Sequence, residues 1–109
     1  MAGASRTAVL AALAALAAGA AEALALKVMS IGACGDQLLL ALLPPARITS
    51  VTWLARDPAT SIMARAALRI PLNHGQAEEV LRDHPDLVIA GTFTTPATRA
   101  LLKKLHVPM

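Results

Sequence analysis

Tyrosine is absent from this 109-residue chain, and tryptophan, phenylalanine and cysteine occur once each. With only Trp53 and Phe93 as aromatics, a core has to be built from Leu, Ile, Val and Ala. The lone Cys34 excludes an internal disulfide and offers no cluster of thiolates for a metal. Charge of one sign is also scarce. The formal net charge is +3, and Arg47, Arg56, Arg65, Arg69, Arg82 and Arg99 are scattered, with only Lys103 and Lys104 adjacent. A nucleic-acid surface needs a basic stripe with stacking aromatics, so nucleic acid is not expected as a partner. No Gly-x-Gly-x-x-Gly follows the first strand-like run. Only Gly32-Ala33-Cys34-Gly35 stands there, and a dinucleotide site would lack its phosphate turn. Cys34 has no evident base to activate it as a nucleophile. Asp36, Asp57 and Asp86 fall at cap or turn positions, where local backbone bonding accounts for them. No hydrolytic or transfer chemistry follows, no cofactor is implied, and the chain is not expected to be an enzyme.

What is present in excess lies at the front. Residues 8–18 form an uninterrupted run of 11 apolar residues behind a single early charge, Arg6. The run is long enough for the hydrophobic region of a secretory signal, but too short to cross about 30 Å of hydrocarbon. Small-x-small triplets follow at Ala18-Gly19-Ala20, Ala21-Glu22-Ala23 and Ala23-Leu24-Ala25. A signal peptidase accepts small side chains flanking the cut, so residues 1–25 are expected to be a cleaved leader and the mature chain is expected in the periplasm. An uncleaved anchor is disfavoured by Glu22, a carboxylate that is costly inside a bilayer. Ile31-Gly32-Ala33-Cys34 is a weak lipobox, but Lys27 and Ser30 separate it from the apolar run.

The remainder, 26–109, alternates strand and helix signals. Residues 27–31 form a strand-like run ending at Gly32, and Asp36 is placed to cap a helix that Pro44-Pro45 ends. Residues 48–53 are rich in β-branched side chains. Asp57-Pro58 opens a predicted helix over 59–68, with Asp at the cap and Pro at the first helical position. Residues 69–71 are expected to be extended, and Asn73-His74-Gly75 a turn. A helix is predicted over 76–82, an apolar strand buried on both faces over 86–91, and a helix from Thr95-Pro96 to about residue 105. Val107-Pro108-Met109 reads as the start of another strand, so the domain is expected to be incomplete. Strands alternating with short helices imply βαβ units, hence an α/β fold with a parallel sheet in three layers, Rossmann-like.

In an open α/β sheet, ligands bind outside the carboxyl ends of the strands. That rule selects Cys34-Gly35-Asp36, residues 53–56, Asn73-His74-Gly75 and residues 92–95, loops that hold both aromatics. Candidate ligand-binding residues are therefore Asp36, Trp53, Arg56, His74, Phe93 and Thr94. Arg56 offers a planar fork to an anionic group, or a surface ion pair with Asp57. His74 is either a metal or haem ligand or an ordinary loop residue.

Four stretches carry a family resemblance. They are Lys27-Val28-Met29-Ser30-Ile31 with the leucine-rich helix after Asp36; Pro45-Ala46-Arg47-Ile48 with Trp53-Leu54-Ala55-Arg56-Asp57-Pro58; Ala77-Glu78-Glu79-Val80-Leu81 with Pro85-Asp86-Leu87-Val88; and Leu101-Leu102-Lys103-Lys104-Leu105 with Val107-Pro108. Together they resemble the N-terminal lobe of periplasmic substrate-binding proteins that serve ABC importers of cobalamin, ferric siderophores and haem. His106 stands where that family usually has glycine. The resemblance covers about 27–109 and omits the family's second lobe and joining helix. It implies reversible capture of an iron complex or cobalamin, with Trp53 near the chelate or macrocycle. It implies also that Glu78, or its neighbour Glu79, presents a carboxylate to the ABC permease, and that the full-length protein is a monomer. Alternatives are a fragment of such a protein without transport activity, and a small cytoplasmic Rossmann-like enzyme.

Overall fold

The structure, a computed structural model, describes residues 6–13 and 26–109. Residues 6–13 are helical and exposed. The rest of the predicted leader, with its small-x-small triplets, lies outside the described residues. No described helix is long and apolar enough to cross a membrane.

From residue 26 onward the chain builds a four-stranded sheet, β1 (Val28–Ser30), β2 (Ile48–Thr52), β3 (Leu72–Asn73) and β4 (Leu87–Ile89), in the order β3-β2-β1-β4. All three pairings are parallel, and β1 meets β4 with Val28 opposite Leu87 and Ser30 opposite Ile89. Parallel neighbours need crossovers, supplied by α1 (Ala33–Leu42), α2 (Ala64–Ala67), α3 (Ala77–Asp83) and, after β4, α4 (Pro96–Lys104). Successive strand side chains point to opposite faces, and that alternation divides the core in two. Val28, Ile48 and Val51 pack with Leu39 of α1, Ala67 of α2 and Ile70 on one face. Met29 and Val88 pack with Ala77 and Val80 of α3 and Leu102 of α4 on the other. The result is a three-layer, Rossmann-like α/β arrangement. Strands β1 to β3 wind outward on one side, and the chain then returns to lay β4 on the other side of β1. The gap between β1 and β4 is thus the point where strand order reverses.

Local signals account for several element ends. Thr95 caps α4, its hydroxyl accepting from the Thr98 N–H at 3.3 Å, and Pro96 takes the first helical position. Gln76 and Glu79 form a capping box on α3. The end of α4 is a Schellman motif: Val107 N–H donates to Leu102 O, His106 N–H donates to Lys103 O, and His106 has φ 57°. A left-handed φ penalises any side chain with a Cβ, and here it falls where the resemblance leads one to expect glycine. His106→Gly is therefore expected to raise stability by about 1 kcal/mol, read as a shift in the urea midpoint. An unchanged or lowered midpoint would show that the His106 side chain compensates for its backbone.

Four expectations need correction. Helix 59–68 is broken: Asp57 starts a turn, its carboxylate accepting from Ala59 N–H, but only Ala64–Ala67 is α-helical. Gln37 of α1 is the cause, because its side chain accepts from Ile62 N–H and donates to the Ser61 hydroxyl, diverting the backbone from a continuous helix. The third strand lies at Leu72–Asn73, so Asn73 belongs to the sheet and not to a turn, and 69–71 is not the strand. Asp36 is not the cap of α1. The helix begins earlier, at Ala33 behind the cap residue Gly32, and carries Asp36 inside its first turn. Residues 107–109 do not form a strand, although Val88 N–H donates to Pro108 O at 2.9 Å and brings them beside β4.

Candidate functional site

The carboxyl ends of all four strands open into one crevice of about 640 Å³ at the reversal of strand order. Gly32 and Cys34 from the β1–α1 junction line one side, with Leu38 of α1. Trp53 and Leu54, in the 3₁₀ turn Trp53–Arg56 after β2, form a second wall. His74 and Gly75 come from the loop after β3, and Phe93 and Thr94 from the loop after β4. The lining is mainly apolar and the crevice is wide. Trp53 is 52% exposed and Phe93 is 97% exposed. Two large rings left in water beside one depression form an apolar surface of the kind that marks a binding site.

Beneath the crevice lies a buried polar layer that sequence reasoning missed. Asn73 donates from its amide to Ser30 O and to the Ser50 hydroxyl, each at 2.8 Å, and accepts from Gly75 N–H at 2.9 Å. One side chain thus ties β3 to β1 and β2 and fixes the start of the His74-Gly75 loop, where Gly75 has φ 70°. The available signal was polar residues (Ser30, Ser50, Thr52) inside otherwise apolar strand runs.

Asp36 belongs to this layer. It is fully buried, its Oδ1 accepts from Thr52 N–H at 2.9 Å, and its Oδ2 accepts from the Thr52 hydroxyl. Burial pushes its carboxyl above the ordinary 3.8, against the opposing pull of the hydrogen bonds from Thr52 and Ser30. As a candidate ligand contact it is corrected: both oxygens face Thr52, and the side chain does not line the crevice. Arg56 is turned away as well, its guanidinium donating to Ala67 O at 3.2 Å and Ile70 O at 2.9 Å. It fastens the 3₁₀ turn to α2 and forms no ion pair with Asp57.

Of the predicted ligand contacts, the fold brings Trp53, His74, Phe93 and Thr94 together at the crevice. Thr94 is largely buried and shapes its loop, accepting from Gly91 N–H at 3.1 Å and donating its own N–H to Gly91 O. Glu78 is exposed on α3. Glu79 turns back instead: one oxygen accepts from His74 N–H at 2.8 Å and Gln76 N–H at 3.2 Å, and the other lies 3.5 Å from His74 Nδ1. Burial pushes its carboxyl up, but those N–H bonds together with His74 outweigh it and leave the group below its usual 4.5. Among the described residues no group of three His, Cys, Asp or Glu side chains is placed to hold a metal ion.

Fold and crevice together define an α/β protein with a parallel sheet, Rossmann-like, and an open apolar crevice at its strand ends, the place where such sheets bind ligands. No protein-family model matches the chain, and neither a curated protein nor a solved structure does.

Proposed function

We propose that the chain captures a large, rigid ligand in the periplasm, as the N-terminal lobe of the substrate-binding component of an ABC importer. The ligand class is an iron complex, siderophore or haem, or cobalamin. The observation that carries this reading is the open apolar crevice at the strand ends, with Trp53 and Phe93 presented to solvent on two of its walls. An indole and a phenyl ring provide flat contact area with little rotamer entropy to lose, which suits a macrocycle or chelate. Residues 1–25 act as the export signal. Glu78 is the exposed carboxylate that meets the permease, where paired charge orients docking more than it adds affinity. Glu79 is committed to its own loop.

Equilibrium dialysis of the purified chain against cyanocobalamin, a ferric hydroxamate and haemin tests the reading. One of the three is expected to bind, and Trp53→Ala or Phe93→Ala is expected to weaken binding about tenfold or more. Because both rings are exposed, the thermal midpoint should stay within about 2 °C of the parent protein. Absence of binding to all three, or indifference to both substitutions, would remove the proposal. Export is checked separately by the N-terminal residue of the protein in a periplasmic extract. A start between residues 21 and 26 is expected, whereas an intact leader on a cytosolic protein would contradict export.

A further inference from the structure

We infer that a second site, at the opposite end of the sheet from the crevice, binds a medium-chain aliphatic carboxylate. Its shape follows from a short crossover. Helix α1 has 10 residues and α2 only four, because Gln37 holds residues 61 and 62 out of the helix. At 1.5 Å per residue α2 spans about 6 Å, and part of the sheet face beside α1 is left uncovered. An opening of about 540 Å³ remains there, within the size range of small-molecule sites. Ile48, the first residue of β2, and Ile70, two residues before β3, line it and belong to the buried core. Leu40 and Leu43, partly buried against the same core, form the wall on the side of α1. The strands are parallel, so their amino ends, where this opening lies, are remote from the crevice at their carboxyl ends. An aliphatic chain seated over Ile48 and Ile70 would extend the core.

The mouth of the opening is basic. Arg65 of α2 and Arg69 of the turn after it both line it, and both are exposed. Neither guanidinium has a hydrogen-bonding or ionic partner among the described residues. Arg56 and Arg82, by contrast, are engaged, the first by the Ala67 and Ile70 carbonyls and the second by Asp83. Two like charges four positions apart on neighbouring turns repel each other, and an anion between them turns that repulsion into attraction. The carboxyl end of α1 borders the same opening with no basic residue in its last turn. It brings only about half a negative charge against two full cations. Each guanidinium presents a planar fork that matches the two oxygens of a carboxylate. Neither half of the site suffices alone. Exposed ion pairs add little in water, so a bare anion gains almost nothing. A neutral chain gains burial but leaves both cations unpaired. The ligand therefore carries its carboxylate at the Arg65–Arg69 mouth and its tail over the two isoleucines.

Isothermal titration calorimetry of the purified chain with decanoate, acetate and decyltrimethylammonium tests the site. Decanoate is expected to bind about tenfold more tightly than decyltrimethylammonium, which has the same tail and the opposite head, and acetate should give no measurable heat. Affinity should rise about threefold with each methylene added between hexanoate and decanoate. Replacing both arginines, Arg65→Gln with Arg69→Gln, is expected to remove the preference for the anion, and Arg65→Glu with Arg69→Glu to reverse it. Because both side chains are exposed, either double variant should keep the thermal midpoint within about 2 °C of the parent protein. No binding of decanoate, equal binding of the two head groups, or decanoate binding indifferent to the double glutamine variant would each overturn the site. Loss of decanoate binding in Trp53→Ala would overturn it too, by assigning the chain to the crevice. Co-sedimentation with phosphatidylglycerol vesicles in the absence of decanoate binding would overturn it in favour of a membrane surface. Capture in the crevice is judged on its own probes and is untouched by any of these results.

Discussion

Asp36→Ala is expected to cost about 3 kcal/mol of folding stability, measured by urea denaturation. Removing the carboxylate leaves the Thr52 N–H and hydroxyl without acceptors in a site closed to solvent. Each stranded donor costs roughly 1–3 kcal/mol, and relief from burying a charge returns only part of that. Asp36→Asn keeps an acceptor for the N–H and is expected to cost about 1 kcal/mol. The pH dependence has a definite sign. Burial raises the carboxyl above its ordinary 3.8, so the folded state holds the proton more tightly than the unfolded chain does. The unfolded chain therefore binds fewer protons between the two values, and stability declines as pH rises from about 3.8 through the folded value, then levels off. The stability gap between the parent protein and Asp36→Asn should accordingly shrink as the pH is raised from the ordinary carboxylate range. A gap that widens with pH would mean that the Thr52 bonds to the ionised form outweigh burial. Thr52 immediately precedes Trp53, the only tryptophan in the chain, so indole emission reports directly on this joint.

Gly35→Val is expected to prevent folding, and Gly35→Ala to destabilise by about 2 kcal/mol. A Cβ on Gly35 would lie 2.6 Å from the Ser30 hydroxyl and 2.8 Å from Ile89 Cγ2. Serine can swing its oxygen aside. Ile89 is β-branched and held in β4, so its methyl cannot yield without moving the strand. Against this stands the gain of about 1 kcal/mol when alanine replaces glycine inside a helix, and a clash of this depth exceeds it. Gly32 provides the control: its added Cβ would meet nothing closer than 3.6 Å, and its backbone is extended. Gly32→Ala should fall within about 0.5 kcal/mol of the parent protein. If Gly35→Ala were equally neutral, α1 would not pack against β1 and β4 as closely as described, and that side of the crevice would be looser.

Both residues show where sequence reasoning stops. Asp36 sits near the start of a leucine-rich run, and an aspartate there reads naturally as a helix cap. What assigns it otherwise is Thr52, 16 positions away, brought opposite by the parallel pairing of β1 with β2. Arg56 reads as a surface cation until the packing of α2 offers it the Ala67 and Ile70 carbonyls. The helix over 59–68 has an acceptable pattern and a good opening. It is interrupted because Gln37, on a different element, competes for its backbone. Trp53, His74 and Phe93 were legible as candidates for a simpler reason. They follow strands in the sequence, and in a parallel sheet every strand ends on the same side.

What the sequence determined by itself is the class of fold and the side of the sheet on which the crevice opens. Apolar strand runs, the Thr95-Pro96 opening and the helix-ending Pro44-Pro45 act within a few residues of themselves, and their alternation leaves a parallel α/β sheet as the way to bury the strands on both faces. Only the tertiary structure decided which polar residues face the crevice and which hold the scaffold. Asp36, Arg56 and Asn73 find their partners on other elements, and no local pattern encodes a partner that packing alone brings within hydrogen-bonding distance.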